Sequence, residues 1–290
     1  RRRKMKTKRY RVAHVASCSH MKPNGGIGAG LQSVVQMFEQ MGCQNDIIMN
    51  KLPEDPPPHT RQKFLQTFRD QGCQIIVPDK PVPMRPYTLL MGSHSNGICG
   101  EEQLNFRNAI WRALQTNLYD LFVVHSTQAA VGLYALDIVG RIPSVMYTHD
   151  YNAVFKDAKG SQGRMNNSDS ATNFNDMVYR LPGWVIGTHT ERNVREIGPQ
   201  ARCLPLPLTA RGLLTPLTEE EKRSQRGVLF IGRWEPRKAP QKYVDLIAAT
   251  GLPARLLVSS ELSRAKFRLA FAEAGITDYE FAIDRYEQAQ

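Results

Sequence analysis

The chain has 290 residues, enough for one large core or two moderate ones, and its 41% apolar and 22% charged content is that of an ordinary globular protein. No apolar run approaches the ~20 residues that span a bilayer, and the positive start has no apolar stretch behind it, which excludes a secretory signal there. The five cysteines, at 18, 43, 73, 99 and 203, are odd in number, widely spaced and free of CxxC, which points to reduced thiols in a cytoplasm and away from a disulfide framework or zinc site.

The net charge of +11 is concentrated at the start of the chain. Residues 1–11, RRRKMKTKRYR, carry eight Lys or Arg and no acid; the rest has 30 basic against 27 acidic residues. Arg1, Arg2, Arg3, Lys4, Lys6, Lys8 and Arg9 therefore make residues 1–10 a basic arm. Such an arm either holds phosphates through counterion release or is a solvated end. Lys156, Lys159 and Arg164 form a weaker second patch.

Beyond the arm, short β-branched runs alternate with helical patterns. Strands are expected at Arg11–Ala16, Gln44–Met49, Gln74–Val77, Leu121–His125, Ser144–Thr148, Trp184–Gly187 and Ala201–Leu204. Helices are expected at Leu31–Met41, Thr60–Gln71, Glu101–Asn117, Gln128–Leu136 and Thr190–Ile197. In the first helix Leu31, Val34, Val35, Phe38 and Met41 make one stripe at helical spacing. The strands are continuous apolar runs, the pattern of a parallel sheet covered on both faces. Strand and helix in repetition predict a doubly wound α/β domain over 11–208.

Residues 209–227 read as a linker, rich in proline and then in charge. The alternation restarts with strands Val228–Ile231, Arg255–Val258 and Tyr279–Ala282 and helices Pro240–Thr250 and Ser263–Ala274. This predicts a second α/β domain over 228–290, with three strands where a complete nucleotide-binding domain has about five or six.

Ligands of open α/β sheets bind beyond the carboxyl ends of the strands, so the loops leaving strands carry the chemistry. After the first strand comes CSHMKPNGGIGAG. Glycines let a backbone approach a ligand closely, and amides at a helix start bind anions; a flexible connector has the same composition. The dinucleotide spacing GxGxxG fails because position 31 is Leu, and GK[ST] of a Walker loop is missing. After the fifth strand, YTHDYNAVF sets His149 and Asp150 side by side. A carboxylate there either accepts a proton from a hydroxyl or caps the next segment. After the eighth strand, FIGRWEPRKAP carries Arg233 and Lys238 at a helix start. They either neutralise a diphosphate or form a solvated basic turn.

Taken in order, NGGIGAG, the paired strands FVVHS and IPSVMYTHD, and VLFIGRWEPRK resemble the retaining GT-B glycosyltransferases over nearly the whole chain. Ala239 departs from the usual glycine after the lysine. Within that group YTHDYNAVF, IGRWEPRKAPQKYVDLI and ELSRAKFRLAFAEAGITDYEF are similar to segments of the T4-type phage DNA α-glucosyltransferases, which act on 5-hydroxymethylcytosine in duplex DNA.

The resemblance implies two doubly wound parallel-sheet domains facing a cleft, a UDP-sugar donor, no metal or other cofactor, and double-stranded DNA as partner. It implies that Gly25, Gly26, Ile27 and Gly28 shelter the sugar and diphosphate. Asp150 would orient or deprotonate the acceptor, with His149 beside the sugar. Arg233 and Lys238 would take the diphosphate charge, and Glu261 would be a lesser donor contact. The DNA contacts would come from the arm and from Lys156, Lys159 and Arg164. The shortened second domain implies a further C-terminal segment or a second polypeptide. Two rivals stay open: a transferase of the same fold acting on a small molecule, lipid or polysaccharide, and a non-catalytic DNA-binding relative.

Overall fold

The structure, a computed structural model, describes residues 9–21, 26–54, 60–83, 100–148, 177–205, 227–258 and 260–281. The chain divides into two units, Arg1–Thr209 and Ala210–Gln290. Nearly all of the expected linker, 209–227, lies outside the described residues.

The first unit is built on β1 (Arg11–Val15), β2 (Gln44–Ile48), β3 (Gln74–Ile76), β4 (Leu121–Val124), β5 (Ser144–Tyr147), β6 (Val185–Thr188) and β7 (Ala201–Cys203). They form one sheet in the order β3-β2-β1-β4-β5-β6-β7, parallel throughout. The connecting helices are α1 (Gly26–Gln40), α2 (Thr60–Asp70), α3 (Gly100–Thr116), α4 (Thr127–Tyr134) and α5 (Glu191–Ile197). The apolar runs in the strands are buried on both sides. Ile47 and Met49 pack with Leu31 and Val35 of α1 and Phe64, Leu65 and Phe68 of α2. Val15, Ile48, Phe122, Val124 and Met146 pack with Phe106 and Ile110 of α3 and Leu133 of α4. The strand order reverses between β1 and β4, and this switch point is where an open α/β sheet forms its ligand crevice.

One polar network sets the register at the other end of these strands. Asp46 is fully buried in β2. Its carboxylate receives Arg11 Nε at 2.7 Å, the Tyr119 hydroxyl at 2.9 Å and the Gln74 amide at 3.3 Å. Three strands and the approach to β4 thus converge on one carboxylate, and any register slip would leave it unpaired.

The second unit has β8 (Val228–Ile231), β9 (Ala254–Leu257) and β10 (Tyr279–Phe281), with α6 (Pro240–Thr250) and α7 (Glu261–Glu273). Its parallel sheet has the order β10-β9-β8. Phe230, Leu256, Tyr243, Val244, Phe267 and Phe271 form the core on the helix side. Leu229 and Ile231, which point to the other side, are exposed among the described residues.

Strands and helices fall within one or two residues of expectation except at α1. The apolar stripe predicts a start at Leu31, but the helix begins at Gly26. Gly26, Ile27 and Gly28 are helical turns rather than a loop. Glycine lowers local helix propensity, and the packing of Leu31 and Val35 on the sheet overrides it.

Candidate functional site

The carboxyl edge of the first sheet carries a row of buried polar side chains. Ser17 follows β1, Asn50 follows β2, His125 follows β4, Thr148 follows β5, and Thr188 ends β6; each is at most 4% exposed. Such residues beyond strand ends need partners, and Ser17, Asn50, Thr148 and Thr188 have them. Cys18 donates its amide to Asn50 Oδ1 at 2.9 Å, and Ser17 Oγ donates to Glu102 Oε1 at 2.9 Å. Thr148 Oγ1 donates to the Gly187 carbonyl at 3.2 Å, and Asn193 Nδ2 donates to Thr188 Oγ1 at 3.0 Å.

A line of rings crosses the same region. His14 and His125 stack at 5.9 Å between centroids, His125 lies 6.3 Å from Tyr147, and Tyr147 lies 5.2 Å from His189. The Tyr147 hydroxyl donates to the Leu204 carbonyl. Burial pushes its pKa up to about 12, with Cys203 adding to the shift, so it stays a donor at neutral pH. His14 is held neutral by burial, its pKa lowered to about 4.

Helix α1 begins at this edge. Gly28 and Gly30 are buried, and its first turn contains no acid. The N-terminus of α1 therefore presents amides and no competing carboxylate, the arrangement that receives an anion. Of the sequence-predicted donor loop, Gly26, Ile27 and Gly28 form that first turn. Gly25 lies outside the described residues, as do His149, Asp150, Lys156, Lys159, Arg164 and residues 1–8 of the arm. Arg9 is exposed, with Nε donating to the Gly42 carbonyl at 3.2 Å.

In the second unit the segment between β8 and α6 carries both Arg233 and Lys238. Gly232 has φ +139, and a Cβ built there would meet the Lys238 stem at 3.6 Å. The lysine thus lies across the glycine that precedes Arg233. Trp234 pins this turn: its amide donates to Ser263 Oγ at 3.0 Å and its ring packs edge-on against Phe267 at 4.6 Å. Arg233 is exposed and pairs with Glu235 at 2.9 Å. Lys238 is exposed two residues before α6. Cations at a helix N-terminus oppose the helix dipole, so this placement costs stability unless an anion is there. Glu261 opens α7, and its carboxylate is engaged by Arg268 at 3.0 Å and Arg264 at 3.6 Å.

Sequence reasoning missed Ser17, Asn50, Glu102, His125 and His189. The signal that marked His149 and Asp150, a polar residue just past a strand, also marks Ser17, Asn50, His125 and His189. Glu102 has no such signal, because it is joined to Ser17 across 85 positions.

A depression of about 500 Å³ lined by Tyr10, Phe38, Met41, Leu121, Ile142 and Pro143 lies at the amino ends of β1, β4 and β5. It is at the opposite edge from the switch-point crevice. Among the described residues no three His, Cys, Asp or Glu side chains gather as a metal site, and no helix is long and apolar enough to cross a membrane.

No protein-family profile and no curated protein matches the chain. Solved structures do. Sucrose-phosphate synthase from Thermosynechococcus elongatus is similar with a TM-score of 0.67 and 15% identity, over 97% of this chain and 72% of that one. Anabaena HepE in complex with UDP and glucose is similar at 0.59 and 11%, over 94% and 68%. A glycosyltransferase from Rickettsia africae is similar at 0.57 and 12%, over 95% and 68%. At these identities the likeness shows the fold, which is GT-B.

Proposed function

We propose that the chain is a glycosyltransferase that takes a UDP-sugar as donor and transfers its sugar with retention. One observation carries this reading. Both segments that resemble the donor motifs lie on the connection from a parallel strand to the next helix, Gly26–Gly28 in the first turn of α1 and Arg233/Lys238 between β8 and α6, in a chain with the GT-B fold. HepE, of the same fold, is described with UDP and glucose bound.

The chemistry divides among few groups. In the first unit the amides of the α1 start suit a phosphate, and in the second unit Arg233 and Lys238 do. As the bond from the sugar to the diphosphate breaks, the leaving group gains charge, which Arg233 and Lys238 neutralise. The acceptor oxygen bonds to the same sugar carbon. Its proton leaves to Asp150 or to the departing phosphate, with His149 beside the sugar.

For the acceptor we propose the hydroxymethyl group of 5-hydroxymethylcytosine in duplex DNA. The support is the resemblance of YTHDYNAVF and IGRWEPRKAPQ and the seven charges of residues 1–9. Reaching that hydroxyl requires extruding the nucleotide, at a few kcal/mol that phosphate contacts offset. A small-molecule or polysaccharide acceptor is the second reading, favoured by the likeness to a sucrose-phosphate synthase.

The deciding experiment is mass spectrometry of hydroxymethylated DNA, and of soluble sugar, lipid and polysaccharide acceptors, after incubation with UDP-sugars. Sugar added to the DNA supports the first acceptor, and transfer to the others alone supports the second. Arg233→Ala should weaken UDP binding by about 1.5–3 kcal/mol, the loss of a charge-assisted hydrogen bond; equal affinities by calorimetry would remove Arg233 from the site. Asp150→Asn should slow transfer by about 10²–10⁴-fold with UDP affinity retained. A variant near wild-type rate would leave Asp150 a capping residue.

A further inference from the structure

Glu102 is a buried carboxylate that the scheme above leaves without a role. It lies in the first turn of α3 and is 7% exposed. One of its oxygens, Oε1, accepts both Ser17 Oγ at 2.9 Å and Asn50 Nδ2 at 3.3 Å. Asn50 Oδ1 accepts the Cys18 amide at 2.9 Å, and Ser17 Oγ accepts the Ser19 hydroxyl at 3.0 Å. The turn after β1, the residue after β2 and the start of α3 therefore meet on a single carboxylate oxygen.

The held turn, Cys18–His20, is the part of the chain that leads from β1 toward the glycines of α1. Its far end is fixed as well. Met21 is fully buried and packs with Leu31 and Val35 of α1. Hydrogen bonds to a carboxylate are stronger than neutral ones, and a carboxylate in the first turn of a helix is favoured by the dipole. Removing it takes the acceptor from a buried hydroxyl and a buried amide.

Resting on the UDP-sugar reading, we propose that Glu102 is a positioning residue. It fixes the turn that sets where the α1 start, and so its anion-binding amides, stand.

Glu102→Ala and Glu102→Gln separate this role from general stability. Both of these bonds end on Oε1, and a glutamine keeps a carbonyl oxygen that can accept them without the negative charge. Glu102→Ala should weaken UDP binding at least about tenfold by calorimetry and raise the donor KM more than it lowers kcat. Glu102→Gln should stay within about threefold of wild type. Hydrogen exchange read by mass spectrometry should speed up across residues 16–31 in the Ala variant and not in the Gln variant. Ser17→Ala, which removes one hydroxyl, gives the same test should Glu102→Ala not fold: binding should weaken about threefold with faster exchange over 16–31. Unchanged UDP affinity in Glu102→Ala or Ser17→Ala, or unchanged exchange over 16–31, would overturn the role. A wild-type chain that binds no UDP would instead overturn the donor reading, while the exchange data would still decide whether Glu102 holds the turn.

Discussion

His14 shows what a single side chain inside a parallel strand does for this fold. It is fully buried in β1, between Phe38 and the His125 ring. Its Nε2 lies 3.0 Å from Asn45 Oδ1, and since the Asn45 amide nitrogen is turned to the Val35 carbonyl, the histidine is the donor. Burial lowers its pKa from 6.5 to about 4, against opposing contributions from Asn45 and Asp46. Between those values the unfolded chain binds a proton that the folded chain refuses, so stability rises with pH across the window. The contribution is full above pH 6.5 and is lost as pH falls toward 4, by about 3 kcal/mol in all. His14→Gln keeps an N–H for Asn45 and does not titrate. Urea unfolding from pH 7 to pH 4 should show a shallower decline in that variant, and identical declines would assign the acid sensitivity to other groups. At this scale the sequence is only partly legible. A polar residue just past a strand can be found by counting, which is how His149 and Asp150 stand out. A histidine inside a strand, or a glutamate bound to a serine far away in the chain, acquires its role only from packing.

Elements are more legible than residues, because period and length survive in the sequence while contacts do not. Most strands follow an apolar run, and β1 and β2 are buried on both faces even where they carry His14, Asn45 and Asp46. The α1 start was not legible, since its glycines weaken the helical signal that tertiary packing restores. The α6 start was legible, at Pro240, but the residue before it carries a measurable cost. Ala239 occupies the left-handed region, at φ 49 and ψ 49, where the resembling family has glycine. An alanine there is strained by about 1–2 kcal/mol. Part of that returns when glycine enlarges the unfolded ensemble. Ala239→Gly should therefore stabilise the second unit by roughly 0.5–1 kcal/mol, as the difference between those two effects. Guanidinium unfolding followed by the fluorescence of Trp234, which packs on Phe267 in the core of that unit, reads this directly. A lower midpoint in the glycine variant would mean that the alanine methyl makes a contact worth more than its strain.

Across the whole molecule, charge separates one acceptor reading from the other. A fold shared with sucrose-phosphate synthase and HepE does not choose an acceptor, because function on a common fold resides in its sites. The distribution of charge does bear on the choice. Residues 1–9 contain seven Lys or Arg within a chain of net charge +11. If duplex DNA is the acceptor, these charges displace condensed counterions, and the logarithm of affinity falls with the logarithm of salt with a slope of about −0.9 per phosphate neutralised. A chain lacking residues 1–9 should bind hydroxymethylated duplex DNA more weakly at low salt and with a flatter slope. Its UDP affinity should not change, since Gly26–Gly28, Arg233 and Lys238 all remain. Fluorescence anisotropy over a salt series measures both slopes on one labelled duplex. The same slope with and without the arm would show that DNA contacts lie elsewhere, with Lys156, Lys159 and Arg164 the next to substitute. Absence of salt-dependent binding in the full chain would reject DNA as the acceptor, because a protein that extrudes a nucleotide from a duplex must hold the phosphates on either side of it.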